Sequence, residues 1–220
     1  MKTMKKQLVA IDFDGTMADT HLTIIEAARM TVDMLDVPHR ATDDEIRKSI
    51  GLPSEALFRD VCGIRDPKEV EAAIGLFRAN YRKIGNSKTV LYPGVRETLT
   101  KLRDAGVTLA VASSRFKDSL MTMLRYFELT DFFTVIVGDD DVAHAKPAPD
   151  MVLKILAETG IAASEALTVG DTQFDILMGQ RAGTDTCGVT YGNHTRQMLQ
   201  QVHATHIIDH FSDLLHIVLD

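Results

Sequence analysis

Short apolar runs recur along this chain, each closed by a turn and followed by residues with helical period. Residues 7–12 (QLVAID), 107–113 (VTLAVAS), 133–138 (FTVIVG), 166–170 (ALTVG) and 185–189 (DTCGV) form such runs, and 206–208 (HII) adds a weaker sixth. Runs that are apolar at successive positions suit strands buried on both faces, whereas a strand with one wet face alternates. Strands of this kind alternating with helices predict an α/β fold: a Rossmann-like parallel sheet flanked by helices.

The rhythm breaks between residues 17 and 88. No strand pattern stands out there, but Leu22, Ile25, Ala28, Val32 and Leu35 recur at helical spacing, and so do Val70, Ile74, Phe77, Tyr81 and Ile84. Between these stripes, GLPSEALFRDV (51–61) reads as a turn entering another helix, with Pro53 in its first turn and Ser54 or Glu55 at its start. The expectation is an α-helical cap, residues 17–88, inserted into a core made of residues 1–16 and 89–220. The turn-rich return, GNSKTVLYPG (85–94), is a candidate hinge. Met17, Met30 and Met34 are expected to fill the cap core or the seam beneath it.

At 220 residues and 45% hydrophobic, the chain is long enough to bury a full core. Its 24 Lys and Arg against 31 Asp and Glu give a formal charge of -7, with no basic run longer than Lys5-Lys6. That balance argues against nucleic acid as a main partner, because neutralising a phosphate backbone needs a basic surface. A small phosphorylated substrate stays open. The apolar stretch after the N-terminal lysines is interrupted by Asp12, too soon for a signal peptide, and nothing approaches the ~20 apolar residues of a membrane helix. No membrane association is therefore expected. Cys62 and Cys187, two thiols far apart in the chain, fit a reduced, cytoplasmic protein, as a monomer or a homodimer.

The candidate chemistry sits where the strands end. The first run closes on Asp12 and Asp14, followed by Gly15 and Thr16; the second on Ser113, Ser114 and Arg115; the third leads through GDDDVAHAKPAPD to Lys146; the fourth ends in Gly170-Asp171, with Asp175 one helical turn on. In an open parallel sheet, ligands bind beyond the carboxyl ends of the strands where strand order reverses, so these groups can converge. Carboxylates, a hydroxyl and one lysine, without histidine or cysteine, point to a hard cation of the Mg2+ type, completed by substrate phosphate. A divalent ion and a lysine together remove the repulsion that keeps a carboxylate from attacking phosphorus, which allows an aspartyl-phosphate. The acid triplet Asp139 to Asp141 reads as a solvated loop, one of whose members could orient Lys146. His203, His206 and His210 span a helix end, a strand and a helix start, and are not expected to converge on a metal.

Four motifs in order, DFDGT (12–16), VASS (111–114), KPAPD (146–150) and GDTQFD (170–175), each after an expected strand, resemble those of the haloacid dehalogenase-like hydrolases, in their phosphatase branch with a helical cap. The resemblance spans most of the chain. It implies Asp12 as nucleophile and Asp14 as the acid that protonates the leaving oxygen and later the base that activates water. It implies Mg2+ held by the carboxylates of Asp12 and Asp171 and the main-chain carbonyl of Asp14, with Asp175 completing or orienting the shell. Ser113 and Lys146 would contact the phosphoryl group, helped by the N–H groups of Gly15 and Ser114. The cap would exclude water and choose the substrate.

Single positions separate the branches. Dehalogenases of this family lack an acid at the position of Asp14; the Lys-Thr-Gly-Thr of transport ATPases is absent; and sugar phosphomutases usually carry Glu-Asp where this chain has Gly170-Asp171, with an arginine in the cap loop near 51–54. Hydrolysis of a phosphomonoester is the expectation. IGLPSEALF (50–58) and GVTYGNHT (188–195) look like segments of phosphoglycolate phosphatases and their pyrophosphatase relatives, although Ser114 and Arg115 replace the asparagine and lysine common in the former. A 2-phosphoglycolate-like substrate is thus the leading expectation. Pyrophosphate, a sugar or nucleotide monophosphate, or phosphate-effector binding without turnover are the alternatives.

Overall fold

In the computed structural model, which describes residues 5–220, the chain runs from β1 (Leu8–Ile11) through a two-residue strand, β2 (Ala18–Asp19), into four helices. These are α1 (His21–Met34), α2 (Asp43–Ser49), α3 (Ser54–Ala56), continued by a π-helical turn over Leu57–Val61, and α4 (Pro67–Ile84). The chain returns on β3 (Val90–Leu91), antiparallel to β2. Helix α5 (Val95–Asp104), β4 (Thr108–Ala112), α6 (Lys117–Tyr126), β5 (Val135–Val137) and α7 (Asp150–Thr159) follow. Then come β6 (Ala166–Gly170), α8 (Gln173–Ala182), β7 (Asp185–Val189), α9 (Arg196–Gln201), β8 (His206–Ile208) and α10 (Leu214–Leu219).

The six longer strands form one parallel sheet in the order β5-β4-β1-β6-β7-β8. All six lie within or on the apolar runs of the sequence, because a strand covered on both faces is apolar at most positions. Successive residues of β1 serve opposite layers. Val9 and Ile11 join Leu99, Leu102, Leu120 and Leu214 on one face, while Leu8 and Ala10 join Met151, Ile155 and Met178 on the other. After β5 the chain crosses back over β1 to start β6, so the order reverses at β1, and a crevice opens beyond its carboxyl end.

Helices α1 to α4 enclose an apolar cluster of their own, with Ala28, Val32, Ile46, Phe58, Cys62 and Val70 at its centre. Their ends carry local signals. Thr42 and Glu45 make a capping box at α2; Asp66 caps α4 with Pro67 in the first turn; and Gly85, at φ 72°, ends it where a Cβ would be strained. Helix α3 starts at Ser54, directly after Pro53.

The buried stripe of α1 differs from the apolar reading. Leu22 is 55% exposed, and the buried side runs through Thr23, Ala27, Ala28, Thr31 and Val32. Small residues let α1 and α4 approach closely, and the polar ones among them are satisfied in place. Thr31 Oγ1 donates to the Ala27 carbonyl, and Asn80 of α4 donates to Thr31 Oγ1 at 3.0 Å. Met34 is 62% exposed, outside the role expected of it, and Met17 is fully buried in the apolar layer that also holds Leu99 and Leu120. The β2–β3 ribbon is two residues deep, too short for a periodic signature. Among the described residues, no helix is long and apolar enough to cross a membrane.

Two truncations check this packing by denaturant unfolding. Phe58→Ala empties a fully buried position and is expected to cost about 3–5 kcal/mol of the stability of the unit it packs in, whereas Leu22→Ala is expected to change stability by no more than about 0.5 kcal/mol.

Candidate active site

Asp12 follows β1 directly, and its N–H still donates to the Val169 carbonyl, so the ladder with β6 fixes where its side chain begins. Lys146, on the segment after β5, brings its ammonium to two acids at once: Asp12 Oδ1 at 2.5 Å and Asp175 Oδ1 at 2.6 Å. The other oxygen of Asp175 accepts from the Thr172 N–H and hydroxyl in the capping box that starts α8. Gly170 leaves room for that carboxylate, which a Cβ at this position would overlap.

Asp171 is held from both sides. Thr16 Oγ1 donates to one oxygen at 3.2 Å, and the Asn193 N–H and side-chain amide donate to the other at 2.6 and 2.9 Å. Tyr191 donates from the same loop to the Thr16 carbonyl. Gly15 has a φ of +83°, and a Cβ on it would strike both the Asp171 carboxylate and the Asn193 amide. The turn after β1 and the loop after β7 therefore close around one carboxylate.

Ligand oxygens of Asp12, Asp171 and Asp175 lie within 4.8 Å of one another, all three residues buried, with one ammonium among them. Burial pushes Asp12 well above the usual carboxylate range; Lys146 opposes this, while Asp175, Asp171 and Asp14 add to it. Burial and Asp175 push Asp171 up to about 7, against the donors from Asn193 and Thr16. For Lys146, burial pulls downward, but Asp12 and Asp175 override it and hold the ammonium above its ordinary value. Asp12 Oδ2 is buried without a hydrogen-bond partner. An orphaned carboxylate oxygen beside two further carboxylates fits a divalent cation with oxygen ligands, and Mg2+ is the common one.

Asp14 stands apart from that group. Arg115 grips its carboxylate from Nε and Nη2, both at 2.7 Å, and Thr20 Oγ1 donates to it at 2.5 Å. The same guanidinium donates to Tyr81 Oη of α4 at 2.7 Å and to Ser119 Oγ at 3.1 Å. Ser113 is fully buried, its Oγ accepting from the Arg115 N–H at 3.3 Å. The Ser114 hydroxyl donates to the Gly51 carbonyl of the helical layer at 2.7 Å, and Arg47 of α2 donates to the Gly192 carbonyl at 3.1 Å. Both contacts tie the helices to the sheet.

From sequence, Arg115 stands among the strand-end residues expected to converge and departs from the family's lysine, but its grip on Asp14 is not expected; Thr20 and Asn193 carry no expected role, and Tyr81 falls on a packing stripe. Of the acid triplet, Asp140 accepts from the Lys117 N–H and Asp141 from its ammonium. Asp139 makes no bond to Lys146; burial and Asp140 push it up to about 6. Among the described residues, the acids around Lys146 form the one group able to hold a metal, and the histidines of 203–210 form none.

Above these groups lies a cleft of about 700 Å3 between sheet and helices, with Asp12, Asp14 and Arg115 on one wall and Leu52, Arg78 and Tyr81 on the other. Both walls offer side chains to a small molecule, and Asp12 and Asp14 open onto it.

A sequence model described as haloacid dehalogenase-like hydrolase matches residues 9–189. The chain is 35% identical to the protein named probable phosphatase IndB of Dickeya dadantii, over 96% of this chain and 92% of that one. It is 33% identical to a phosphoglycolate phosphatase of Psychrobacter arcticus, over 98% and 97%, and 33% identical to the pyrophosphatase PpaX of Bacillus velezensis, over 96% and 97%. The crystal structure of a haloacid dehalogenase-like hydrolase from Bacteroides fragilis superimposes with a TM-score of 0.90 at 29% identity, over 96% of this chain and all 100% of that one.

A thermal-shift titration tests the acidic cluster as a cation site. Because Asp171 is raised to about 7, it is mostly protonated at pH 6 and mostly ionised at pH 8, so Mg2+ binding strengthens as pH rises. At ten times the dissociation constant, Mg2+ is expected to raise the melting temperature by about 3–6 °C at pH 8, less at pH 6, and not at all in Asp171→Asn.

Proposed function

We propose that this chain, which belongs to the haloacid dehalogenase-like hydrolase family, is a Mg2+-dependent phosphatase that hydrolyses a small, 2-phosphoglycolate-like phosphomonoester through an aspartyl-phosphate on Asp12. The observation that carries this is the state of Asp12. One oxygen is fixed by Lys146, and the other has no donor, on a residue that lines the cleft. Asp171 and Asp175, by contrast, have a hydrogen-bond partner on each oxygen.

The chemistry follows from the placement. An Asp12 oxygen attacks phosphorus; the new O–P bond forms as the P–O bond to the organic group breaks, and Asp14 gives its proton to the departing oxygen. A water, deprotonated by Asp14, then attacks the same phosphorus; the Asp12 O–P bond breaks, inorganic phosphate leaves and the Asp12 carboxylate is restored. The carboxylates of Asp12 and Asp171 and the Asp14 carbonyl, with Asp175 alongside, would hold Mg2+, which when bound would supply the charge neutralisation that lets one anion approach another. Lys146 offsets the charge growing on the phosphoryl oxygens, and Ser113 with the N–H groups of Gly15 and Ser114 hydrogen-bonds them. Asp14 must give up the Arg115 fork and Thr20 before it reaches the leaving oxygen.

In this reading residues 17–88 act as a cap over the site, and the protein works in the cytoplasm as a monomer or homodimer on a small phosphorylated molecule, with no nucleic acid or membrane partner. Inorganic pyrophosphate is the second reading, favoured by equal identity to a protein named as a pyrophosphatase.

Phosphate release measured over phosphoglycolate, pyrophosphate, sugar phosphates and nucleotides, ranked by kcat/KM, tests both. Asp12→Asn is expected to lower release by at least ~10^4-fold. Asp14→Asn is expected to lower turnover by about 10^2–10^4-fold while phosphoenzyme still accumulates in a single turnover. Release by Asp12→Asn equal to wild type would overturn the nucleophile. Chelation is expected to abolish activity, and Ca2+ to leave it abolished, because its looser and larger shell misplaces the phosphoryl group.

A further inference from the structure

Most cations around the cleft are engaged. Lys146 holds Asp12 and Asp175, Arg115 holds Asp14 and Tyr81, and Arg47 donates to the Gly192 carbonyl. Arg78 is different. It lies on α4, lines the cleft, and stacks with its guanidinium carbon 3.4 Å from the centre of the Phe116 ring. Among the described residues no carboxylate or carbonyl bonds it, and its Nε is buried without a partner. The nearby acid Asp139 feels its charge but makes no hydrogen bond to it. Arg82, one turn on, is exposed and has no comparable platform.

The position is directional. Arg78 and Tyr81 are three apart on α4 and so share a face, and Tyr81 meets Arg115, which meets Asp14. Phe116, the platform for Arg78, is the residue after Arg115. The free guanidinium therefore stands on the same cleft wall as Tyr81, the partner of Arg115. A stacked guanidinium has lost much of its rotational freedom while its planar edge still offers paired donors, an arrangement suited to a carboxylate or phosphate. Leaving such a group half-buried and unpaired is unfavourable until an anion arrives.

From this we infer that Arg78 receives a second anionic group on the substrate, borne by the organic part and not transferred, so that the preferred substrates are small phosphomonoesters carrying a further carboxylate or phosphoryl group. The inference deepens the phosphatase reading and rests on it. It also separates Arg78, as a substrate-contacting specificity residue, from Arg115, whose fork is already occupied by Asp14.

Binding of phosphonates that cannot be turned over tests it by calorimetry with Mg2+ present. Wild type is expected to bind 3-phosphonopropionate at least about 30-fold more tightly than n-propylphosphonate, which lacks the carboxylate. In Arg78→Gln the ratio is expected to fall to within about threefold, and in Arg78→Lys to an intermediate value, since a lysine keeps the charge without the fork. Methylenediphosphonate distinguishes the source of the anion: if it, rather than 3-phosphonopropionate, shows the Arg78-dependent gain, the second group is phosphoryl and the inference stands. Equal binding of all three ligands to wild type, no measurable binding of any, or a wild-type preference unmoved in Arg78→Gln and Arg78→Lys overturns it. Absence of turnover of every phosphomonoester, with the ratio behaving as stated, would instead sink the phosphatase reading alone.

Discussion

Burying a carboxylate costs several kcal/mol unless opposite charge goes with it, and Asp12, Asp171 and Asp175 are buried here around one ammonium group. Lys146 is the contact on which the rest of the arrangement depends. It draws the turn after β1 and the start of α8 together, two segments that neighbour each other only because β6 pairs with β1. The remaining oxygens are met by donors that come with the fold: the capping hydroxyl of Thr172 for Asp175, and Thr16 with Asn193 for Asp171. Of these three acids, Asp12 alone keeps an oxygen without a partner among the described residues. The imbalance between acids and base is thus concentrated on one atom, beside the cleft, where a cation and a phosphoryl group can use it.

The sheet was legible because its signal is long-range and chemical at once. A strand buried on both faces is apolar at most positions, and the runs ending at Ile11, Ala112, Val137, Gly170 and Val189 are largely so, with Thr108, Thr168, Asp185 and Thr186 as the polar exceptions. The polar residues that close them line one edge of the sheet, so Asp12, Lys146 and Asp171 could be grouped from sequence position and topology together. Helix α1 was harder to read, since its buried side carries Thr23 and Thr31, satisfied by main chain and by neighbouring side chains that no periodicity shows. Leu22, apolar by type, faces out instead.

The unread part of the site has the same character. Arg115 on Asp14, Asn193 on Asp171 and Arg78 on Phe116 are contacts between segments 20 to 100 residues apart, made by side chains that occur anywhere on a protein surface. Nothing in local pattern marks them. What marked the site was the residue types that strand ends share, whereas these partners are defined by which loop lies opposite.

That difference bears on how substrate choice and chemistry divide over the molecule. Lys146 and the carboxylates around it are fixed by the sheet and by caps internal to it, so the helices can change without moving them. Arg115 is the exception. It reaches from the sheet to Tyr81 of α4 while holding Asp14, so the residue proposed to protonate the leaving oxygen is tied by one guanidinium to the helical wall. Any displacement of α4 takes away one of the partners of Arg115, and any ligand that draws Asp14 toward the phosphoryl group loosens the wall in return. The helices and the acid are therefore coupled through Arg115 on Tyr81 and through Thr20 at the start of α1, and the coupling runs in both directions.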